Sequence, residues 1–150
     1  MAQAKSLKFA EQIVMLGDGA TPTELFAAPC GTTELTLDVN IETNTTNVPD
    51  CTDPDLPAWL VSDEVSKQMV ITLSGTLDRD AKLIWEEWMM DGGEKNVRWV
   101  TTGNLAAGGG YYQAPGILSQ FQYQGQRGQR WSFNIGVTLN GKPTFTPAAA

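Results

Sequence analysis

The sequence predicts a mostly β protein, an antiparallel β-sandwich or barrel with one α-helix packed on its flank. Several segments alternate apolar and polar residues with the two-residue period of a half-buried strand, and turn-forming residues separate them. Only one segment repeats its apolar residues at helical spacing. The chain has 150 residues, the usual size of one domain, so we expect a single domain over residues 1–150.

Two long strands with a polar loop between them are predicted in the first half of the chain. From residue 33 to residue 43, apolar side chains occupy the odd positions and polar ones the even positions: Leu35, Leu37, Val39 and Ile41 against Glu34, Thr36, Asp38, Asn40 and Glu42. Alternation around Ile71 predicts a second strand over residues 65–77. Asn, Asp and Pro recur in residues 44–64, so this segment is predicted to be a long loop and a candidate contact element.

The one predicted helix spans about residues 79–91. Its expected buried stripe lies at positions i, i+3, i+4 and i+7, which are Ala81, Ile84, Trp85 and Trp88. Acids at the start of the segment suit the helix dipole, and Gly92 is expected to end the helix.

In the second half of the chain, the sequence pattern predicts three more strands and a closing β-hairpin. The strands span residues 96–102, 117–124 and 130–140, and the last two are joined by a glycine-containing turn. Five apolar residues alternate in the last strand: Trp131, Phe133, Ile135, Val137 and Leu139. Residues 146–150 are expected to be a loose tail, and residues 1–32 form an N-terminal segment without a distinctive pattern.

The net charge of −7 is unevenly distributed. Up to Glu64 the chain has eleven acids and two lysines, whereas the remainder has eight basic and six acidic residues. Proteins bind DNA largely by neutralising phosphates with Lys and Arg, so this chain is not expected to grip a nucleic acid.

The absence of histidine argues against an enzyme. It removes the usual proton-transfer group near neutral pH and every Ser-His or Cys-His nucleophile. Paired carboxylates remain, but Glu86, Glu87 and Asp91 are expected on the exposed side of the helix. Cys30 and Cys51 lack a metal-binding spacing and are expected to stay reduced, so we expect no catalytic residue, metal or cofactor.

Membrane insertion and secretion are not expected either. No apolar run approaches the ~20 residues that span a bilayer, and the first residues do not form a signal peptide. The chain is therefore expected to fold in the cytoplasm.

Four tryptophans could form either a sugar-binding surface or part of the core. Trp85, Trp88, Trp99 and Trp131 fall at the inward positions of their predicted elements, which favours the core. Trp59, in the predicted loop, is expected to be free for an interface.

The order of several short motifs resembles the tail tube proteins of long-tailed bacteriophages, a group that includes those of gene transfer agents. The motifs are Pro-Asp-Cys-Thr-Asp-Pro-Asp-Leu-Pro-Ala-Trp at 49–59, Leu-Ser-Gly-Thr-Leu-Asp-Arg-Asp at 73–80, Trp-Glu-Glu-Trp-Met at 85–89, Gly-Gly-Gly-Tyr-Tyr at 108–112, and the final hairpin with Gly-Lys-Pro-Thr-Phe-Thr-Pro at 141–147. The likeness covers about residues 33–147. It implies a β-sandwich or barrel with a flanking helix, six copies closing a ring, and rings stacking into a hollow tube through which the genome passes.

The resemblance suggests roles for two sets of residues. A channel must not adsorb DNA, so acids on its wall would repel phosphates, and Glu34, Asp38 and Glu42 are candidates for the lumen. An outward, solvated face is equally compatible with their spacing. By analogy, the 44–64 loop should reach the next ring or a neighbouring subunit through Asn47, Asp50, Asp53, Asp55, Trp59 and Leu60.

The resemblance also implies partners and a location. The expected partners are further copies of the chain, a tape measure protein, a tail terminator and distal tail proteins, and DNA would pass through the lumen without specific binding. The expected location is the tail of a virion, after assembly in the cytoplasm of a bacterial host. The alternatives are another tube-like subunit, either a distal tail or a secretion-tube protein, or a carbohydrate-binding β-sandwich module.

Overall fold

The structure is a computed structural model that describes residues 2–20 and 23–149. Over these ranges the strands are β1 (Gln12–Gly17), β2 (Phe26–Ala27), β3 (Thr32–Val48), β4 (Trp59–Thr76), β5 (Lys95–Thr101), β6 (Gly110–Gln124), β7 (Ser132–Leu139) and β8 (Thr144–Pro147). The helix α1 spans Arg79–Asp91, and single 3₁₀ turns lie at Phe9–Glu11 and Leu105–Ala107. The predicted class, mostly antiparallel β with one flanking helix, is confirmed.

Strand β6 connects the two halves of the sheet. The strand order is β2-β1-β5-β6-β7-β4-β3, and β8 also pairs with β6. The first part of β6, up to Gly116, pairs with β5, whereas the part from Gly116 onward pairs with β7. Because β1 and β5 share one hydrophobic core with β4 and β7, both halves of the sheet cover the same core.

The core follows from the alternation of the central strands. Ile71 and Leu73 of β4 are fully buried, as are Ile135 and Val137 of β7, and each pair is separated by a residue on the opposite face. Phe133 and Leu139 extend the same inward row. These apolar side chains determine which face of β4 and β7 points inward, and a shift of one residue would expose all of them.

Helix α1 begins and ends as predicted. The carboxylate of Asp78 accepts hydrogen bonds from the backbone N–H groups of Asp80 (3.1 Å) and Ala81 (3.0 Å), which caps the first turn. Gly92 follows the helix with a positive φ of 69°, a conformation that favours glycine. The buried stripe is narrower than predicted, because Ile84 is 40% exposed and only Ala81, Trp85 and Trp88 are buried.

The prediction of a loop over residues 44–64 is wrong at both of its ends. Strands β3 and β4 pair continuously up to the pair Val48 and Trp59, so the connecting loop contains only residues 49–58. The residues beside it were missed because both faces of the strands are exposed there. Without a buried face, a strand does not require apolar and polar residues to alternate.

Both ends of the chain are more ordered than the sequence suggests. Within the predicted N-terminal segment 1–32, β1 buries Val14 and Leu16 and pairs with β5. The predicted loose tail is wrong through residue 149, because β8 pairs with β6 and the N–H of Ala148 donates to the Gly109 carbonyl (3.0 Å). Residues 1, 21 and 22 of the first segment and residue 150 of the tail lie outside the described residues.

No helix within residues 2–20 and 23–149 is long and apolar enough to cross a bilayer.

Candidate assembly surfaces

The outer part of the β3–β4 hairpin extends beyond the rest of the sheet. Strand β4 pairs with β7 only from Val70 onward, so residues 39–48 and 59–69 pair with each other alone. We call this two-stranded segment the arm. Ten paired positions at about 3.4 Å each make it roughly 30 Å long. An isolated two-stranded ribbon is marginal in water, so the arm is the part of the sheet with the least support from neighbouring strands.

One face of the arm continues the core side of the sheet and carries an apolar row. Leu37, just before the arm, and Val39 and Ile41 within it are 36%, 47% and 49% exposed. They stand opposite Ile71, Met69 and Lys67 of β4, so the row runs outward from the buried part of the hairpin. Exposed apolar residues in a row, in contrast to single ones, indicate a contact surface.

The other side of the hairpin belongs to a larger surface, which we call the polar face. Register across four neighbouring strands places Glu34, Asp38 and Glu42 on the side away from the core. Residues from the other three strands share this side: Ser66, Gln68, Thr72 and Ser74 of β4, Ser132, Asn134 and Thr138 of β7, and Gln120, Gln122 and Gln124 of β6.

The polar face carries acids, amides and hydroxyls together with the apolar Val70 and Ile117, but no basic side chain at its described strand positions. Neither Lys nor Arg occurs at the described positions of β3, β4, β6 and β7 whose side chains point away from the core. The hydroxyl of Ser66 donates to Glu42 (3.0 Å) and that of Ser74 to Glu34 (3.4 Å). The predicted acids thus lie together on one exposed face, and an anionic polymer passing over it would meet repulsion and no cation.

The amide part of this face could not be predicted from the sequence. Alternation alone put Gln120, Gln122 and Gln124 on one side of a strand, but it could not show that this side aligns with the acids of β3. That alignment depends on the register of β6, β7 and β4 with each other.

The loop at the end of the arm, residues 49–58, is the tip loop. The Asp50 carboxylate accepts hydrogen bonds from the hydroxyl (2.6 Å) and N–H (2.8 Å) of Thr52 and from the N–H of Asp53 (3.1 Å). These hydrogen bonds, led by that of the Thr52 hydroxyl, hold the pKa of Asp50 below its usual value. Asp50 therefore shapes the loop, whereas Asp55 donates only its backbone N–H to Asp53 (3.2 Å) and keeps its carboxylate exposed.

The predicted contact residues beside the tip loop occupy both faces of the arm. Trp59 is 85% exposed and Leu60 is 67% exposed. Trp59 stands opposite Val48 and Leu60 opposite Asn47, so the two successive side chains point to opposite faces. All six predicted contact residues are exposed within one short stretch of the hairpin, but their role in subunit contacts stays a prediction.

The tryptophans are distributed differently from the prediction. Trp85 and Trp88 are fully buried and stack at 6.1 Å between ring centroids, as expected of core residues. Trp99 is only partly buried against the core, and Trp131 is 58% exposed. Trp131 lies just before β7 begins and covers Gly125, where an added Cβ would come within 2.6 Å of its ring.

The described residues contain no group of three acids or cysteines placed to hold a metal ion.

A small β domain with an unsupported arm and a broad, cation-free polar face belongs to the class of assembly subunits. The phage tail tube protein family matches residues 6–145, so the chain belongs to that family and is a structural subunit of a tail tube. Among curated proteins, none is significantly similar in sequence.

Several solved structures share the fold, among them chains of two tails and of a virion. The tail of an empty gene transfer agent (GTA) particle, computed with helical refinement and C6 symmetry, matches with a TM-score of 0.75 and 16% identity, covering 94% of this chain and 99% of that chain. A chain of the native GTA virion matches with a TM-score of 0.70 and 17% identity, at the same coverages of 94% and 99%. The SPP1 tail tube matches with a TM-score of 0.69 and 9% identity, covering 97% and 81%. At these identities the likeness shows the fold.

Proposed function

We propose that six copies of this chain close a ring, that rings stack into a hollow tube, and that the polar face lines its channel. The observation that carries the proposal is the polar face itself, which spans four strands and has no Lys or Arg at its described strand positions. A channel that conducts DNA needs a wall that does not adsorb phosphates, and an acidic and amide surface meets that requirement.

Simple barrel geometry agrees with this arrangement. If each of six copies contributes the four strands of the polar face, the tube wall contains twenty-four strands. At about 4.8 Å between strands and a tilt of about 40°, such a barrel is roughly 50 Å across between backbones. This leaves an aqueous channel after side chains are added. The C6 symmetry of the GTA tail, whose subunit has the same fold, also favours six copies.

In this proposal the arm makes the contacts between copies. Its apolar row and the exposed Trp59 and Leu60 would be covered by a neighbouring subunit or the next ring, which would also stabilise a ribbon that has no support in the single chain. Glu34, Asp38 and Glu42 would face the lumen, and Asn47, Asp50, Asp53 and Asp55 would lie at the contact.

Membership of the family supports proposals for partners and location as well. A tape measure protein would fill the lumen before DNA enters, and a tail terminator and distal tail proteins would cover the two ends of the tube. The chain would be located in the virion tail after assembly in the host cytoplasm. Neither catalysis nor a cofactor takes part.

Electron microscopy of the concentrated purified protein tests the proposal. We expect sixfold rings and hollow tubes for the natural chain. As a control, a shortened-arm variant joins Asn44 to Asp63 through an Asn-Gly turn, which replaces residues 45–62. It should fold and remain monomeric. A natural chain that stays monomeric at every concentration, or that binds a glycan as a monomer, would overturn the proposal.

A further inference from the structure

An open groove at the start of α1 combines aromatic and basic side chains. We call it the basic groove. Its volume is about 610 Å³, and it is lined by Leu77, Arg79, Lys82, Tyr123, Arg130 and Trp131. The N–H of Leu77 donates to the Trp131 carbonyl (2.9 Å), which joins the end of β4 to the segment before β7. Trp131 supplies a broad exposed apolar surface and Tyr123 a partly buried one, and both ring types are frequent in the centres of protein interfaces.

Two cations of the groove have no acidic partner. Among residues 2–20 and 23–149, no carboxylate lies within 4 Å of the Arg79 or Arg130 guanidinium, whereas Lys82 is paired with Glu86 at 2.6 Å. Leu83 of α1, beside them, is 63% exposed. The groove therefore offers unpaired positive charge next to apolar surface, which suits an acidic segment that also carries apolar side chains.

The tip loop has this chemistry. Asp53 and Asp55 are exposed, and Leu56 and Trp59 beside them are 51% and 85% exposed. Asp53 and Asp55 have no basic partner within 4 Å among the described residues. The same chain thus carries two surfaces that are complementary in charge and alike in apolar character.

The tip loop and the basic groove stand at opposite ends of the hairpin. The tip loop follows the pair of Val48 and Trp59, whereas the groove begins just after Thr76, which pairs with Ser132 at the other end of β4. Eighteen residues of strand at about 3.3 Å each separate them by roughly 60 Å. A chain cannot reach its own groove over that distance, so only a second copy can bring the two surfaces together.

We propose that the basic groove receives the tip loop of a second copy, with Arg79 and Arg130 pairing with Asp53 and Asp55. The contact is head-to-tail, with different surfaces on the two copies, and such contacts generate rings or continuous stacks instead of closed dimers. The inference rests on the proposed function and identifies one of the surfaces through which copies meet.

Charge exchange tests the pairing. Asp53→Arg with Asp55→Arg on the tip loop, or Arg79→Glu with Arg130→Glu in the groove, should each raise the critical concentration for tube formation by at least about tenfold. A chain with all four substitutions restores opposite charges and should assemble close to the natural concentration. Asp50 is left unchanged because its carboxylate accepts three hydrogen bonds within the loop, whereas that of Asp53 accepts one. Sedimentation measures the critical concentration, and circular dichroism checks that each variant is folded.

A control variant separates this contact from a general effect of net charge. Lys8→Glu with Lys142→Glu changes the charge as much as the groove variant but at exposed sites outside the groove. It should assemble like the natural chain. Two results would show that the groove is not the receptor of the tip loop: assembly of the control variant is impaired as much as that of the groove variant, or the variant with all four substitutions does not assemble while the natural chain forms tubes. In either case the proposed function still stands. If the natural chain forms no tubes, the proposed function itself fails.

Discussion

The Ser66 hydroxyl donates a hydrogen bond of 3.0 Å to the Glu42 carboxylate across the two strands of the arm. Both residues stand on the polar face at a directly paired position. The bond leaves the negative charge of Glu42 in place, because a neutral hydroxyl partner does not compensate it as a lysine would. The polar face therefore keeps its negative charge even where its side chains are held by neighbours.

Reversing the charge of the polar face should make the tube hold DNA. We expect the variant Glu34→Lys, Asp38→Lys and Glu42→Lys to form tubes that retain double-stranded DNA at low salt and release it as salt rises. Co-sedimentation of tubes with DNA over a salt series measures this. The control places three lysines at exposed positions in or just after α1, which packs on the core side of the sheet: Glu87, Asp91 and Glu94. Equal DNA retention by both variants would contradict a lumen location for the acids.

Truncating Trp59 should impair assembly and spare the folded monomer. The side chain is 85% exposed in the single chain, so Trp59→Ala is expected to change the free energy of unfolding by less than about 0.5 kcal/mol. Tube formation should require a higher concentration, because an exposed aromatic residue at an interface supplies much of its binding energy. Urea denaturation and sedimentation measure the two effects.

Trp85 is the matched comparison for Trp59. It is fully buried, so Trp85→Ala should lower the free energy of unfolding by about 3 to 5 kcal/mol. If the two substitutions destabilise the monomer equally, Trp59 is packed in the core and does not serve an interface.

The elements that could be predicted from the sequence are those with one buried face. The helix was predicted with its observed bounds, 79–91, because Trp85 and Trp88 repeat at helical spacing between an acidic cap and a glycine. The alternation of Ile135 and Val137 likewise predicted the last hairpin. In each case the requirement to bury apolar area leaves a pattern within the local sequence.

The features that could not be predicted depend on neighbours distant in sequence or on surfaces without a buried side. The outer part of the arm, residues 44–48 and 59–64, was predicted as loop because neither of its faces is buried in the single chain. Trp131 continues the alternation of β7 in sequence, but the chain leaves the strand before it and the ring lies over Gly125. The basic groove combines Arg79 with Tyr123 and Arg130, which only the folded chain brings together.

The tip loop should keep its conformation well into the acid range. Asp50 has its pKa below the usual 3.8 because the ionised carboxylate accepts hydrogen bonds from Thr52 and Asp53. A depressed folded pKa means that the stabilisation is present above the unfolded pKa and is lost as the pH falls through the folded pKa. An NMR titration of the Asp50 carboxyl group should therefore show a midpoint below 3.8.

Removal of the Thr52 hydroxyl tests the cause of that shift. Thr52→Val keeps the shape of the side chain and its backbone N–H but deletes the donor to Asp50. The midpoint of Asp50 should move upward, towards 3.8. An identical midpoint in both proteins would show that the hydroxyl does not hold the carboxylate.

The two cysteines of the chain can report directly on head-to-tail contact. Cys51 lies in the tip loop and Cys30 just before β3, and both are free and exposed. The length of β3, seventeen residues or roughly 55 Å, separates them within one copy, so a short bismaleimide cannot link them intramolecularly. Cys30 adjoins Gly31, whose carbonyl accepts a hydrogen bond from the N–H of Thr76, beside the basic groove (3.0 Å).

Assembled tubes treated with the bismaleimide should therefore give a ladder of covalent oligomers in denaturing electrophoresis. Cys30→Ser and Cys51→Ser should each abolish the ladder while tubes still form. A ladder that survives in either variant, or its absence from intact tubes of the natural chain, would contradict the placement of the tip loop at the groove.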